Sequence, residues 1–414
     1  MMKVLTVNSF DSLGGAAKAA YRLHSAVNNL GVSSTFCVSR KSINDATISV
    51  LDERSYAAVY QFFKPKLERL LLRPFIKNAS PEFSLEFLPT SQRVFTSRDF
   101  DILHLHWING LLNIPILKKI EKPMVWTLHD MWAFTGGCHY SLDCDRYEVY
   151  CQDCPFLKRL DLAKLMFRRK LNVYSKLDNL TIVTPSNWLK NCAKKSCLLA
   201  NKRIEVIHNG IDLSVFKPVD KKIVRKILNI PNDKKLILFG AINATQDVRK
   251  GFDFLINSLK LFDLENEKPI IGIFGGPKDI KIKDFSLEIH SFGQVHDDIT
   301  LSLIYSAADV VIIPSIQDNL PNIAVEALAC GTPVVAFNIG GLPDIVIHKK
   351  NGYLAKFKDF KDLYFGIKWV LQNNNYKELA YQARRKAEID FSVQKQAQKY
   401  IDLYKDLLDA KLNK

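Results

Sequence analysis

Short apolar runs, each followed by a loop and a helical stretch, recur along the whole chain, and that alternation leaves few folds open. Residues 4–7, 35–39, 102–105, 124–128, 180–184 and 204–207 form one series of such runs. Residues 236–239, 270–274, 289–292, 310–313 and 333–337 form a second. Runs that are apolar on both faces read as buried strands. Strands that alternate with helices predict an α/β fold with parallel sheets, helices lying on their faces. At 414 residues the chain exceeds one ordinary core, so two domains are expected. The two series meet at His208-Asn209-Gly210-Ile211-Asp212, followed by Phe216 and Pro218. Asn-Gly on its own is only a turn signal.

The most informative chemistry lies in residues 315–346, SIQDNLPNIAVEALACGTPVVAFNIGGLPDIV. Asp318 opens a loop, and Asn319, Leu320, Pro321 and Asn322 lead into a short apolar helix that carries Glu326 and stops at Gly331. A buried strand follows, then Gly340-Gly341-Leu342 with Pro343 at a first helical position. These are two successive loop-to-helix junctions at the carboxyl edge of a parallel sheet. Such junctions offer backbone N–H groups and the positive end of a helix dipole. Carboxylates beside them can accept hydrogen bonds from hydroxyls, a combination suited to a nucleotide-sugar.

The stretch resembles the donor-binding signature of the retaining glycosyltransferases of family 4, which have the GT-B fold: an acid, seven residues, a glutamate, then A-x-A-x-G-x-P-V-V-A. Here Asp318 precedes NLPNIAV, Glu326 and ALACGTPVVA, with Asp where the family more often has Glu. Residues 208–218 are similar to the family's N-G-I-D…F-x-P junction. The resemblance implies two Rossmann-like, doubly wound domains facing across a cleft. The first would span residues 1–212, completed by a C-terminal helix at 391–414, and the second, donor-binding domain residues 213–390. Within LFGAINATQDVRKGFDFL, Lys250-Gly251 and Phe252-Asp253 match the family's G-R…K-G-x-D-x-L run. The family's arginine is absent, because Gly240 is followed by Ala241. Arg249 is the substitute charge, although a guanidinium elsewhere in the loop is not an equivalent contact. Gly275-Gly276 and Gly293 look like further family loops near the base and ribose.

In the first domain Gly14 and Gly15 sit between a strand and a helix. A plain turn and a close approach to a phosphate or sugar are both open from the residues, and the resemblance favours the second. His129 and Asp130 follow a strand in WTLHDMW, and His104, His106 and Trp107 end another in DILHLHW. Alternation places His104 and His106 on one side. The resemblance makes His129 a substrate-positioning residue, against a satisfied buried imidazole. His104, His106, Trp107 and Asp130, at or just past strand ends, read either as acceptor contacts or as structural residues. Ser186 in TPSNWL reads as a helix cap.

The reaction these residues imply is loss of the donor's phosphate as the sugar bond breaks, so stabilising that charge is the main task. Lys250, Arg249 and the N–H groups of Gly340–Leu342 can meet it, with His129, Asp318 and Glu326 completing the reacting set. No DxD-like pair stands at a strand end, so catalysis without a metal cofactor is expected. Retention, a UDP- or GDP-sugar donor, a glycan or polyprenyl-diphosphate-linked acceptor and a place in bacterial surface polysaccharide assembly are implied by the resemblance. The rivals are another GT-B enzyme, a nucleotide-sugar epimerase or sucrose-type synthase, and a non-enzymatic basic protein that binds polyanions.

No apolar run reaches the roughly 18 residues of a membrane span. MMKVLTVNSF enters a strand directly without a signal-peptide layout, so a cytoplasmic protein with reduced cysteines is expected. The net charge is +15, with 29 Lys and Arg against 19 Asp and Glu in residues 1–216. Nucleic acid is the weakest explanation, for no zinc-finger, RNP or helix-turn-helix pattern is present. An anionic membrane and simple solubility remain. Two stretches of the basic half, residues 62–78 (FFKPKLERLLLRPFIKN) and 162–171 (LAKLMFRRKL), mix Lys and Arg with large apolar side chains. Each reads either as a helix packed on the sheet or as one resting on an anionic leaflet.

Cys138, Cys144, Cys151 and Cys154 fall within 17 residues with the spacing C-x5-C-x6-C-x2-C. A structural zinc with His139 as a spare ligand is one reading. Free thiols and a disulfide are the others.

Overall fold

A computed structural model describes residues 1–51, 55–77, 82–88, 95, 98–158, 161–240, 247–265, 268–276 and 285–412. The loop at 241–246, where the family's arginine is missing, and the end of the first basic stretch at Asn78 lie outside the described residues. The chain divides into two compact units, Met1–Gly210 with Val393–Lys414, and Ile211–Ser392.

The first unit holds β1 (Lys3–Val7), α1 (Gly14–Asn29), β2 (Ser33–Val38), β3 (Ile48–Val50), α2 (Ser55–Leu72), β4 (Ile102–Leu105), β5 (Met124–Thr127), α3 (Leu162–Tyr174), β6 (Leu180–Thr184), α4 (Asn187–Lys195) and β7 (Arg203–Val206). Its seven strands pair in parallel in the order β3-β2-β1-β4-β5-β6-β7. β4, β5 and β6 are buried at every position, which explains why most of their residues are apolar. Ser186 caps α4 through the Leu189 N–H, 3.1 Å away.

The second unit holds α5 (Lys221–Ile227), β8 (Leu236–Gly240), α6 (Phe252–Lys260), β9 (Ile270–Phe274), β10 (Ile289–Gly293), α7 (Asp298–Ala307), β11 (Val310–Ile313), α8 (Asn322–Ala329), β12 (Val334–Phe337), α9 (Leu342–Ile345), β13 (Gly352–Ala355), α10 (Phe360–Leu371) and α11 (Tyr376–Asp390). Its six strands are also parallel, in the order β10-β9-β8-β11-β12-β13. In both sheets the order reverses beside the first strand, between β1 and β4 and between β8 and β11. Loops at the carboxyl ends of strands at such a switch point are where open α/β sheets take ligands. Two strands were not anticipated, β3 and β13. Both are edge strands, and neither Ile48–Val50 nor Gly352–Ala355 is buried and apolar at every position.

The last helix, α12 (Val393–Leu412), belongs to the first unit. Val393, Ala397, Tyr400 and Tyr404 pack with Val4, Leu23 and Val27 of β1 and α1. Tyr400 shares a hydrogen bond with Thr127 at 2.7 Å, and Tyr404 with His104 Nδ1 at 2.6 Å. Tyr404→Phe leaves a buried imidazole nitrogen unmatched, and the expected cost is about 1–3 kcal/mol. Urea unfolding monitored on this unit would show it as a lowered midpoint.

Candidate functional site

The second unit gathers its polar groups at three strand ends. The loop after β8 closes in a single 3-10 turn, Val248–Lys250, whose Asp247 side chain accepts from the Arg249 N–H. Gly251 then opens α6 with φ 67°, and a Cβ there would lie 1.9 Å from the Pro314 carbonyl. Only glycine allows that approach. It draws the turn against the loop after β11, where the Ile316 N–H donates to the Arg249 carbonyl at 2.8 Å. Gly340, φ 56°, does the same for the loop after β12, since a Cβ would stand 2.0 Å from the Asp318 carbonyl.

Arg249, Lys250, Asp318, Gly340 and Gly341 are therefore brought together. Lys250 Nζ lies 2.8 Å from Asp318 Oδ2 and Arg249 Nη1 3.5 Å from it. Arg249 also bonds Asp247 at 2.9 Å and the Gln317 carbonyl at 3.1 Å. Asp318 is buried, and it accepts from the Asn319 N–H at 3.0 Å. Burial pushes its carboxyl up, but the Lys250 and Arg249 cations outweigh that and hold it below the usual carboxylate range. Arg249 and Lys250 with Asp247 and Asp318 thus form one linked cluster of two cations and two carboxylates in the loops after β8 and β11.

The N–H groups of Gly340–Leu342 were expected to face the donor phosphates. Instead Gly341 N–H donates to the Asp318 carbonyl and Leu342 N–H to the Ile339 carbonyl, both at 3.1 Å. Those two groups build the turn.

Glu326 is buried on α8, not an exposed helix residue. Tyr305 of α7, which reasoning from the sequence missed, donates its hydroxyl to Glu326 Oε2 at 2.9 Å. Tyr305 in turn stands edge-on against Phe274, the last residue of β9, with ring centroids 5.7 Å apart. Asn319 and Leu320 are buried, while Pro321 and Asn322 open α8 half-buried. Gly275 follows β9, and its N–H donates to the Gly293 carbonyl at the end of β10, 2.8 Å away.

In the first unit Gly14 opens α1, and Leu13 before it supplies no side-chain cap. The other candidates form one network at the ends of β4 and β5. His104 and His106 lie on one side as alternation required, ring centroids 4.1 Å apart. His106 Nδ1 meets His129 Nε2 at 3.0 Å, and His106 Nε2 is buried with no partner. Burial drives the His129 imidazole down to about 4 and His104 down to about 3, so both are neutral at pH 7.

His104 is not an acceptor contact. Its ring is buried, and its two nitrogens are taken by Thr127 and Tyr404. Asp130 is likewise spent internally. Oδ2 accepts from Trp107 Nε1 at 3.0 Å and pairs with His139 Nδ1 at 2.6 Å, and Oδ1 accepts from the Trp132 N–H at 2.8 Å. These bonds anchor the loop that holds His129 and Trp107.

Cys138, Cys144, Cys151 and Cys154 line one cavity of about 10 Å³ with Phe83 and Tyr147. Their thiols are free, and among the described residues no group of three or more His, Cys, Asp or Glu is placed to hold a metal. Burial pushes the Cys151 thiol up to about 12, and His139 is engaged by Asp130 and Ser84. As placed, these residues do not form a zinc site, which was one of the three readings open from the sequence.

Comparison with known proteins agrees with this geometry. Residues 13–215 match the model of Glycosyltransferase Family 4, and residues 220–387 that of Glycosyl transferases group 1. An uncharacterized glycosyltransferase of Methanocaldococcus jannaschii is 26% identical over 74% of this chain and 75% of its own. WcaC of Escherichia coli, provisionally named a colanic acid biosynthesis glycosyl transferase, is 24% identical over 98% of this chain and 100% of its own. Among solved structures, sucrose-phosphate synthase of Thermosynechococcus elongatus superposes with a TM-score of 0.71 at 19% identity, covering 99% of this chain and 100% of that one. Anabaena HepE in complex with UDP-glucose gives 0.64 at 16% identity, covering 98% and 100%. The non-enzymatic polyanion-binding reading is thereby set aside: with family models over both units and two parallel Rossmann-like sheets, the chain is a glycosyltransferase of the family 4 type with the GT-B fold.

Proposed function

We propose that the chain moves a sugar from a nucleotide-sugar, with retention of configuration and without a metal cofactor, to a glycan or polyprenyl-diphosphate-linked acceptor in surface polysaccharide assembly. The observation that carries this reading is the convergence of Arg249 and Lys250 on buried Asp318 at the carboxyl edge of the second sheet. When the bond from the anomeric carbon to the phosphate oxygen breaks, its electron pair stays on that oxygen. Two preorganised cations then stabilise the growing charge in a partly dry site. Asp318 and Glu326 accept hydrogen bonds from sugar and ribose hydroxyls. His129, neutral at pH 7, positions the acceptor or donor sugar rather than contributing a charge. The complex of HepE with UDP-glucose supports a UDP-sugar as the first donor to test. The full-length similarity to WcaC supports the polysaccharide role.

The test is transfer from a panel of radiolabelled UDP- and GDP-sugars, with product anomers assigned by NMR. Inverted product would overturn retention. Turnover is expected to persist in EDTA within about twofold, because side-chain cations do the work of a divalent ion. Loss on chelation with rescue by magnesium or manganese would count against the metal-free mechanism. Release of free sugar or an epimerised nucleotide-sugar without an acceptor would favour the epimerase rival, and sucrose-type products the synthase.

A further inference from the structure

We propose that α2 is a docking surface for an anionic lipid bilayer. The helix is turned the wrong way for a soluble protein. Its inward positions, Lys64, Glu68 and Leu72, lie four residues apart, and Lys64 is 1% and Glu68 6% exposed. Its outward face carries Tyr60, Phe63, Leu67, Leu70 and Leu71, with Phe63 55% and Leu70 63% exposed. The spacing of three, four, three and one makes these five one continuous stripe, roughly 17 Å long at 1.5 Å per residue. Single exposed apolar side chains are ordinary, but a stripe outside with charges inside is not.

The charge around the stripe identifies the occupant. Lys66, Arg69, Arg73 and Lys77 are exposed, and all are basic. The one acid between Tyr60 and Lys77 is Glu68, which faces inward and accepts from the Leu88 N–H at 3.0 Å. An apolar stripe whose exposed charges along the same segment are all cationic fits an interface between acyl chains and anionic headgroups. The other basic stretch does not share this arrangement. α3 buries Ala163, Met166, Phe167, Val173 and Tyr174, and of its large apolar side chains only Leu165 is strongly exposed. No helix among the described residues is long and apolar enough to cross a membrane, so attachment through α2 would be peripheral.

The inference rests on the first unit alone and stands apart from the donor site. The experiment is cosedimentation with vesicles of equimolar phosphatidylglycerol and phosphatidylcholine, and with phosphatidylcholine vesicles. The chain should bind the anionic vesicles at low salt and lose most of that binding at about 0.5 M salt, where the Debye length falls below 5 Å or so. Arg69→Glu with Arg73→Glu should cut anionic binding at least about tenfold. Leu67→Ser with Leu70→Ser and Leu71→Ser should abolish it, while Leu165→Ser on α3 should leave it unchanged. Circular dichroism melts check that the variants fold, and the charge pair alone decides the matter if the triple variant does not. Failure of the wild-type chain to bind anionic vesicles, or unchanged binding by the charge pair, would overturn the proposal. So would a concentration-dependent dimer that the triple variant dissolves in the absence of vesicle binding, because the stripe would then cover a second copy. Transfer to a soluble acceptor is unaffected by these variants, so loss of the docking reading leaves the transferase reading intact.

Discussion

Lys250→Ala is expected to lower kcat by roughly 10²–10³, the loss typical of removing one preorganised group from a developing anion. Its ammonium is held 2.8 Å from Asp318 by a turn that Gly251 pins against Pro314. No reorganisation is then needed when the leaving phosphate gains charge. Lys250→Arg should recover only part of the loss, since the broader guanidinium does not fit a place built for a point charge. The substitution also disturbs the resting enzyme. Asp318 keeps Arg249 at 3.5 Å but loses its nearer partner, and its carboxyl rises from its depressed position. A depressed carboxyl contributes stability that is present above its ordinary value of 3.8 and is lost as pH falls through the depressed value. The variant's stability deficit should therefore be full at pH 7 and should shrink below about pH 4. Denaturant melts across pH, beside steady-state kinetics, separate the two effects. A rise in KM with kcat unchanged would mean that Lys250 only binds the donor and contributes nothing specific to the transition state.

The strands that position these groups were legible because parallel strands buried on both faces are mostly apolar. β4, β6, β9 and β11 run over the residues expected of them. β3 and β13 were not legible. Ile48–Val50 and Gly352–Ala355 owe their conformation to a neighbour's hydrogen-bonding edge, and a local pattern does not record that. The same limit separates readable from unreadable parts of the site. Asp318, Glu326 and Lys250 stand in runs whose spacing is informative. Tyr305 lies on the buried face of its helix, with nothing in its surroundings to say that its hydroxyl meets Glu326. Alternation placed His104 and His106 on one side, but a partner 300 positions away, Tyr404, decided that His104 is structural. For α2 the periodicity shows two stripes. Which of them meets the core was set by tertiary contacts, and the charged one won.

Glu326→Gln is the narrower probe of the donor reading, because it keeps the volume of a buried side chain and removes only its charge. The Tyr305 hydroxyl can still donate to the amide oxygen, so the fold should hold, with a melting temperature within a few degrees of the wild type. What is lost is a charge-assisted acceptor for a donor hydroxyl, worth about 1.5–3 kcal/mol, or roughly a 10- to 150-fold fall in kcat/KM. Tyr305→Phe separates orientation from charge. It leaves the carboxylate in place without the hydroxyl that aims it, and a smaller loss, about tenfold, is expected. If Glu326 contacts the donor, the two losses will not add in the double variant, since the tyrosine acts only through the carboxylate. Simple additivity would show that Tyr305 serves the end of β9 through Phe274 and that Glu326 is oriented by other groups. Glu326→Gln turning over within a few-fold of the wild type would remove Glu326 from the donor site and leave the Arg249–Lys250–Asp318 cluster to account for recognition.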